Sequence, residues 1–384
     1  MSTTRKAVPA VYTRLGVRPV IHGAGTTTRY GGSLMRPETI EAMREAAGVF
    51  VNIDELNEAA GAAIARMLGA EAALVTSGSA AGLLLQAAAC ITGDDPVKIA
   101  RLPDTAGLRN EFIIQRAHRF SYDQSYRAPG GVLVEIGLAR RTAPHELESA
   151  IGERTAGVIY VVSPFTSPPG ILTFEETVRI AHERGVPVLV DAASMVPPRE
   201  NLFRYLRGGA DLVIYSGGKG IRGPQSTGIL AGRRGLIRAA TLNASPNQAI
   251  GRAAKTSKEE IVGLVTALEL FLAEDEKAEL ERYRATCASI VEALGDIPGL
   301  RCVVEEDPVN RVLPHAVIYF EPHWTGPSGR AVQVALAQGD PHVYVQQGPH
   351  QGGYFDEIAV DAINLQPGDA EIVAARLREE LTRR

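Results

Sequence analysis

Asp211-Leu-Val-Ile-Tyr-Ser216-Gly-Gly-Lys219-Gly-Ile-Arg222-Gly-Pro-Gln225 is the stretch on which the reading of this chain turns. Leu212 to Tyr215 are consecutive apolar or aromatic residues, the pattern of a short buried strand. The strand ends at Ser216, two glycines carry the chain to a single lysine, and another glycine follows it. A lysine flanked by glycines where a buried strand stops is oddly placed for a solvated surface charge. Two readings fit. One is an amine that forms a Schiff base with a carbonyl, of a substrate or of pyridoxal phosphate (PLP); the other is a turn lysine on a glycine-rich loop.

Val188-Leu-Val-Asp191 is another apolar strand, and its terminal acid can either hold a buried positive charge or cap the following turn. Gly157 to Val162 reads as a buried strand, and so does Glu111 to Gln115, which runs into Arg116-Ala-His118. Ligands gather at the carboxyl ends of strands in doubly wound sheets. His118 is therefore a candidate to stack on a flat cofactor, or else a satisfied polar residue. Further upstream, a strand from Glu71 passes through Thr76-Ser77-Gly78-Ser79 into an alanine-rich helix. The free N–H groups of such a helix start, with the Ser77 and Ser79 hydroxyls, can receive a phosphate; a serine N-cap explains the same letters.

Strand and helix alternate from residue 70 to 232, the βαβ pattern of a parallel sheet. Gly228 to Gly232 is expected at the sheet's edge, and residues 93–110 as a loop. Thr173–Glu176 and Ser257–Glu260 are capping boxes, the second opening a long helix to about Ala293. The fold class is α/β: a large domain with a mainly parallel, seven-stranded-type sheet flanked by helices, and a smaller α/β domain. The expected division is 1–50 (an N-terminal arm, the start of the small domain and a site loop), 51–250 (the large domain) and 251–384 (a linking helix and the C-terminal small domain).

The composition sets limits. The chain has 384 residues, 45% hydrophobic and 22% charged, enough for two cores. A formal charge of −4 argues against a broad nucleic-acid-binding face. Three cysteines without metal-ligand spacing point to a reducing compartment and to no metal site. No secretory signal and no membrane-length apolar run is read, so a cytoplasmic protein is expected.

A PLP site needs a lysine, an acid for the ring nitrogen, an anion site for the phosphate and a flat group over the ring. Lys219, Asp191, Ser77 to Ser79 and His118 supply one candidate for each. The chain resembles the fold-type-I PLP enzymes (aspartate-aminotransferase-like). Ser216-Gly-Gly-Lys219-Gly-Ile-Arg-Gly-Pro-Gln225 with Gly228 is similar to the selenocysteine synthase (seryl-tRNA selenium transferase) group, and nearest to its D-glucosaminate-6-phosphate ammonia-lyase-like branch. Val20 to Thr26, Leu74 to Gly82, Val190 to Ser194 and Gly251 to Glu259 also match, and the resemblance spans about residues 14–381.

The resemblance implies that Lys219 holds PLP, Asp191 pairs with the pyridine nitrogen, and Gly78, Ser79 and Ser216 bind the phosphate. It also implies that His118 lies over the ring and that the protein is at least a homodimer. Thr26, Arg29, Arg222, Gln225, Arg252 and Lys255, with Lys258, are the candidates for a small anionic, amino-acid-like substrate. The tRNA-using members carry an additional N-terminal domain, whereas this pattern begins near residue 20, so a nucleic-acid substrate is not expected. The expected activity is a lyase: α-proton removal and β-elimination to a 2-oxo acid and ammonia. Racemisation, aldol cleavage, transamination, selenium or sulfur transfer, and a cofactor-free Schiff-base aldolase are the alternatives. Residues 94–110 depart from the family pattern and leave the substrate open.

Overall fold

A computed structural model describes residues 9–163, 168–307, 311–348 and 356–383; the first residues of the expected N-terminal arm lie outside these. The strands, in chain order, are β1 (Val20–Gly23), β2 (Ala72–Ser77), β3 (Glu111–Gln115), β4 (Val132–Ile136), β5 (Thr155–Val161), β6 (Val188–Asp191), β7 (Leu212–Ser216), β8 (Thr227–Gly232), β9 (Leu300–Asp307), β10 (Arg311–Phe320), β11 (His342–Gly348) and β12 (Glu357–Asp361).

Contacts divide the chain into two compact units. The larger is Ser33–Glu274; the smaller joins the described residues up to Gly32 with those from Asp275 onward. These limits differ from the ones read off the sequence. The helix expected to run unbroken from Ser257 is two helices, Lys258–Ala273 and Glu276–Leu294, because Asp275 accepts from the Ala278 N–H and starts a new one. The first of them packs on the Pro37–Ala47 and Ile53–Leu68 helices within the larger unit.

In the larger unit, seven strands run in the order β2-β8-β7-β6-β5-β3-β4. All neighbours are parallel except β8, which is antiparallel to both β2 and β7. This is the mainly parallel sheet expected, with one correction: β8 is interior, not an edge. Every residue of β8 is buried, and the short connection from β7 permits only an antiparallel return beside it. Another difference lies in residues 93–110, where Pro96–Arg101 is helical and Asp95 caps it through the Val97 and Lys98 N–H groups.

Side chains alternate across this sheet, as the period of two requires. Val188, Val190, Val213 and Tyr215 face one core, and Leu189, Leu212, Ile214 and Leu230 face the other. With both faces covered, the strands read as unbroken apolar runs, which is why they are legible in the sequence.

The smaller unit is a five-stranded sheet, β1-β11-β12-β10-β9, in which only β1 and β11 are parallel. Its core gathers Ile21, Ile290, Ile318, Val343, Val360 and Leu377. No helix among the described residues is long and apolar enough to cross a membrane.

Candidate active site

Asp191 and Lys219 stand at the same end of the larger sheet because β6 and β7 are parallel neighbours, with Asp191 paired to Ile214. Beyond β7 the chain makes a tight turn: the Gly217 N–H donates to Thr227 O (2.9 Å), the Gly223 N–H to Gly217 O (2.8 Å) and the Arg222 N–H to Lys219 O (2.9 Å). The glycines beside the lysine are needed for approach. A Cβ on Gly218 would sit 2.4 Å from Gln225 Cα, and one on Gly220 would sit 2.2 Å from Val196 O. The packed turn leaves Lys219 partly buried, with its Nζ donating to Ser194 Oγ at 3.0 Å.

Asp191 is 5% exposed, and its Oδ1 accepts from the Ala193 N–H at 3.0 Å. Burial pushes its carboxyl above the ordinary range, while the Ala193 N–H and the Lys219 charge pull it back. Burial likewise lowers Lys219 from the ordinary lysine value, opposed by the carboxylate of Asp191. The site thus holds an acid and an amine that each stabilise the other's charged form.

The start of the Gly78–Thr92 helix lies across β8 from Ser216. Thr227 pairs with Ser77, while Gly228 is paired with Thr76 on one side and Ser216 on the other. Gly78 takes φ +71, a left-handed conformation that glycine adopts at no steric cost. A Cβ on Gly228 would lie 2.7 Å from the Gly78 carbonyl carbon, so β8 and the helix start meet as bare backbone. Ser77 occupies the N-cap position but makes no capping hydrogen bond. The structural reading of the serines, a self-capped helix, therefore does not account for Ser77. A helix start lined by Ser77, Gly78, Ser79 and Ser216 fits a phosphate, and Asp191 with Lys219 fits the ring and aldehyde of PLP.

His118 lies in the turn that follows β3 and is fully buried. Its Nδ1 accepts from the Val161 N–H at 3.4 Å, and its ring meets Tyr160 edge to face at 4.6 Å.

The basic candidates separate sharply. Arg222 is drawn to Glu274 (3.8 Å), which also takes Arg36 at 2.8 Å. Lys258 bonds Ala46 O and the neighbouring Glu259. Arg252 and Lys255 are exposed and form no ion pair among the described residues; Arg252 lines a cleft of about 550 Å³ with Ile99, Leu102 and Gln248. Gln225 is exposed and backs onto Gly218. Thr26 and Arg29 belong to the smaller unit, on a loop held by Asn364, whose Nδ2 donates to Gly25 O (2.6 Å) and Gly32 O (2.8 Å).

Sequence reasoning passed over Ser194 as a site residue. The only signal was its place three residues after Asp191. No group of three or more His, Cys, Asp or Glu able to hold a metal occurs among the described residues.

The family described as SelA, L-seryl-tRNA selenium transferase, matches residues 21–285. D-glucosaminate-6-phosphate ammonia lyase of Salmonella typhimurium (strain 14028s / SGSC 2262) is 33% identical over 375 residues, covering 97% of this chain and 98% of the relative. A 5'-C-glycyluridine monooxygenase-decarboxylase of Streptomyces sp is 33% identical over 377 residues, covering 96% and 92%. A solved structure of D-glucosaminate-6-phosphate ammonia-lyase superposes with a TM-score of 0.84 at 33% identity, over 97% of this chain and 98% of that one.

Proposed function

The chain belongs to the L-seryl-tRNA selenium transferase family, and from that premise we propose that it is a PLP-dependent ammonia-lyase. Its substrate is an amino acid or amino-sugar acid with a leaving group at the β carbon; its products are a 2-oxo acid and ammonia. The observation that carries this reading is that adjacent parallel strands bring Asp191 and Lys219 to the same end of the sheet, where each favours the other's charged form.

PLP, when bound, supplies an electron sink for the negative charge left at the substrate's α carbon. The chain's own residues do the rest. Lys219 Nζ would hold the cofactor through its aldehyde group, and as a free amine it is the base placed to accept the α proton. Burial favours the neutral form of that amine, which is the form able to take a proton. Asp191 would keep the proton on the ring nitrogen. Ser77, Gly78, Ser79 and Ser216 would hold the phosphate, and His118 would lie over the ring. Arg29, Thr26, Arg252, Lys255 and Gln225 are the groups available to an anionic substrate. The working form is a homodimer or higher homo-oligomer in the cytoplasm, acting on a small anionic substrate and on neither nucleic acid nor membrane.

The Streptomyces relative, named for a monooxygenase-decarboxylase, motivates a second reading in which the α bond broken is the one to the carboxylate. A panel of 2-amino-3-hydroxy acids, with and without a terminal phosphate, separates the two. Equal yields of ammonia and 2-oxo acid without oxygen uptake support the lyase. Oxygen uptake with release of carbon dioxide would replace it. In the same preparation, Lys219→Ala should lose the visible absorbance of lysine-bound PLP. A band that persists and is fixed to the chain by borohydride sinks the assignment of Lys219.

A further inference from the structure

Gly78, Gly82 and Gln86 lie four residues apart and so share one face of the Gly78–Thr92 helix. That face crosses three strands in succession. Gly78 meets Gly228 of β8; a Cβ on Gly82 would sit 2.2 Å from Ile214 Cδ1 of β7; and Gln86 Nε2 donates to Val190 O of β6 at 3.2 Å. The helix therefore begins at the phosphate end of the site and is fastened, two turns later, to the residue preceding Asp191.

Gln86 is fully buried, and so is the side chain that orients it: Tyr126 OH donates to Gln86 Oε1 at 3.2 Å. An amide so placed presents its NH₂ to Val190 O because its oxygen is taken by the phenol. Val190 and Asp191 alternate, so the Asp191 side chain leaves the sheet on the face of Leu189, the face that also packs Tyr126 and this helix. The carboxylate of Asp191 is close enough to Tyr126 to disfavour phenolate formation there, although burial is the larger cause. Neither residue belongs to the set that grips the cofactor.

We propose that Gln86, oriented by Tyr126, is a positioning pair that fixes the separation between the phosphate cradle at Gly78 and Ser79 and the ring-nitrogen acid Asp191. A single rigid ligand must satisfy both ends at once, so a helix free to slide along β6 would grip the phosphate only by misplacing the ring. Glycines at the first two crossings give contact without a polar tie. Gln86 supplies the tie at the third, in a buried setting where such a bond is not exchanged for water. This inference rests on the PLP reading.

The test uses full-length Gln86→Met, which keeps volume and removes the donor, Tyr126→Phe, which removes the orienting phenol, and the double variant. Each is stripped of cofactor and titrated with PLP, following visible absorbance and its pH midpoint. Gln86→Met is expected to weaken PLP binding about five- to tenfold and to shift the pH midpoint of the band. Tyr126→Phe should do the same to a smaller extent, and the double variant should be no worse than Gln86→Met. Thermal midpoints that fall while PLP affinity and the pH midpoint stay at wild-type values would overturn the positioning role, as would additive losses. If Gln86→Met does not fold, unchanged PLP affinity and pH midpoint in Tyr126→Phe alone overturn it. Wild-type protein that takes up no PLP removes the underlying reading, and this inference with it.

Discussion

Lys219 Nζ donates to Ser194 Oγ across 3.0 Å, so the amine at the centre of the site is held by the segment that follows its acid partner. Two adjacent strands thus bring three polar side chains together: Asp191 and Ser194 from the end of β6, Lys219 from the turn after β7. The serine hydroxyl can accept from the amine and also donate, so it can hold a free Nζ in place at this end of the sheet.

Ser194→Ala should therefore retain the visible absorbance of lysine-bound PLP and turn over more slowly. A net hydrogen bond of this kind contributes about 1 kcal/mol, which predicts a roughly three- to tenfold lower kcat. Steady-state ammonia release, together with the spectrum, checks this. Unchanged kcat would mean that the contact belongs to the resting protein alone.

The pH behaviour of Lys219 follows from two opposed causes. Burial, the larger, lowers the amine below the ordinary lysine range; Asp191 raises it. In cofactor-free protein the amine should titrate below a solvated lysine, and Asp191→Asn should move it lower still. The rate of PLP capture against pH reports this midpoint. The stability consequence has a definite sign. Between the native and unfolded values the folded protein binds fewer protons than the unfolded chain, so this lysine makes stability rise with pH across that window. An upward shift in Asp191→Asn would contradict the arrangement.

Much of this site was legible because each of its main-chain supports is a short apolar run ending in one conspicuous residue. Leu212 to Tyr215 and Val188 to Val190 are buried on both faces, so neither strand could be mistaken, and parallel pairing then fixed Asp191 beside Lys219. The position of β8 was not legible. Gly228-Ile-Leu-Ala-Gly has the letters of an edge or an interior strand alike, and only pairing on both sides distinguishes them. The fate of individual cations was equally hidden. Arg222 and Lys258 look as available as Arg252 in sequence, yet Glu274 and the Ala46 carbonyl engage them through contacts set by tertiary packing. Gln86 carries no local signal, since its partners Tyr126 and Val190 are 40 and 104 residues away.

Gly228 is where β8 and the Gly78–Thr92 helix touch as backbone, and an added methyl has no soft neighbour to displace. Its Cβ would meet the carbonyl carbon and oxygen of Gly78 at 2.7 and 2.8 Å and Thr76 Oγ1 at 2.7 Å. Gly228→Ala should force the helix start away from β8, costing about 1–3 kcal/mol of stability by overpacking and weakening PLP binding at least tenfold. Denaturant unfolding and PLP titration measure the two effects. Wild-type PLP affinity in a destabilised Gly228→Ala protein would show that the helix start is not the phosphate site.

Asn364 offers a complementary test in the smaller unit. Its amide nitrogen closes the Gly25–Gly32 loop by donating to the carbonyls at both ends, and the side chain is 8% exposed. Between those ends Arg29 is exposed and makes no ion pair among the described residues, so its charge is available to an anion from solution. Asn364→Ala leaves two carbonyls without their shared donor and frees the loop, at a cost of about 1–3 kcal/mol. Arg29→Ala removes the charge and leaves the loop closed. Both should raise KM for a phosphorylated substrate five- to thirtyfold relative to its unphosphorylated counterpart, and only Asn364→Ala should lower the unfolding midpoint. Equal losses on the two substrates in Arg29→Ala would remove Arg29 from the anion-binding set.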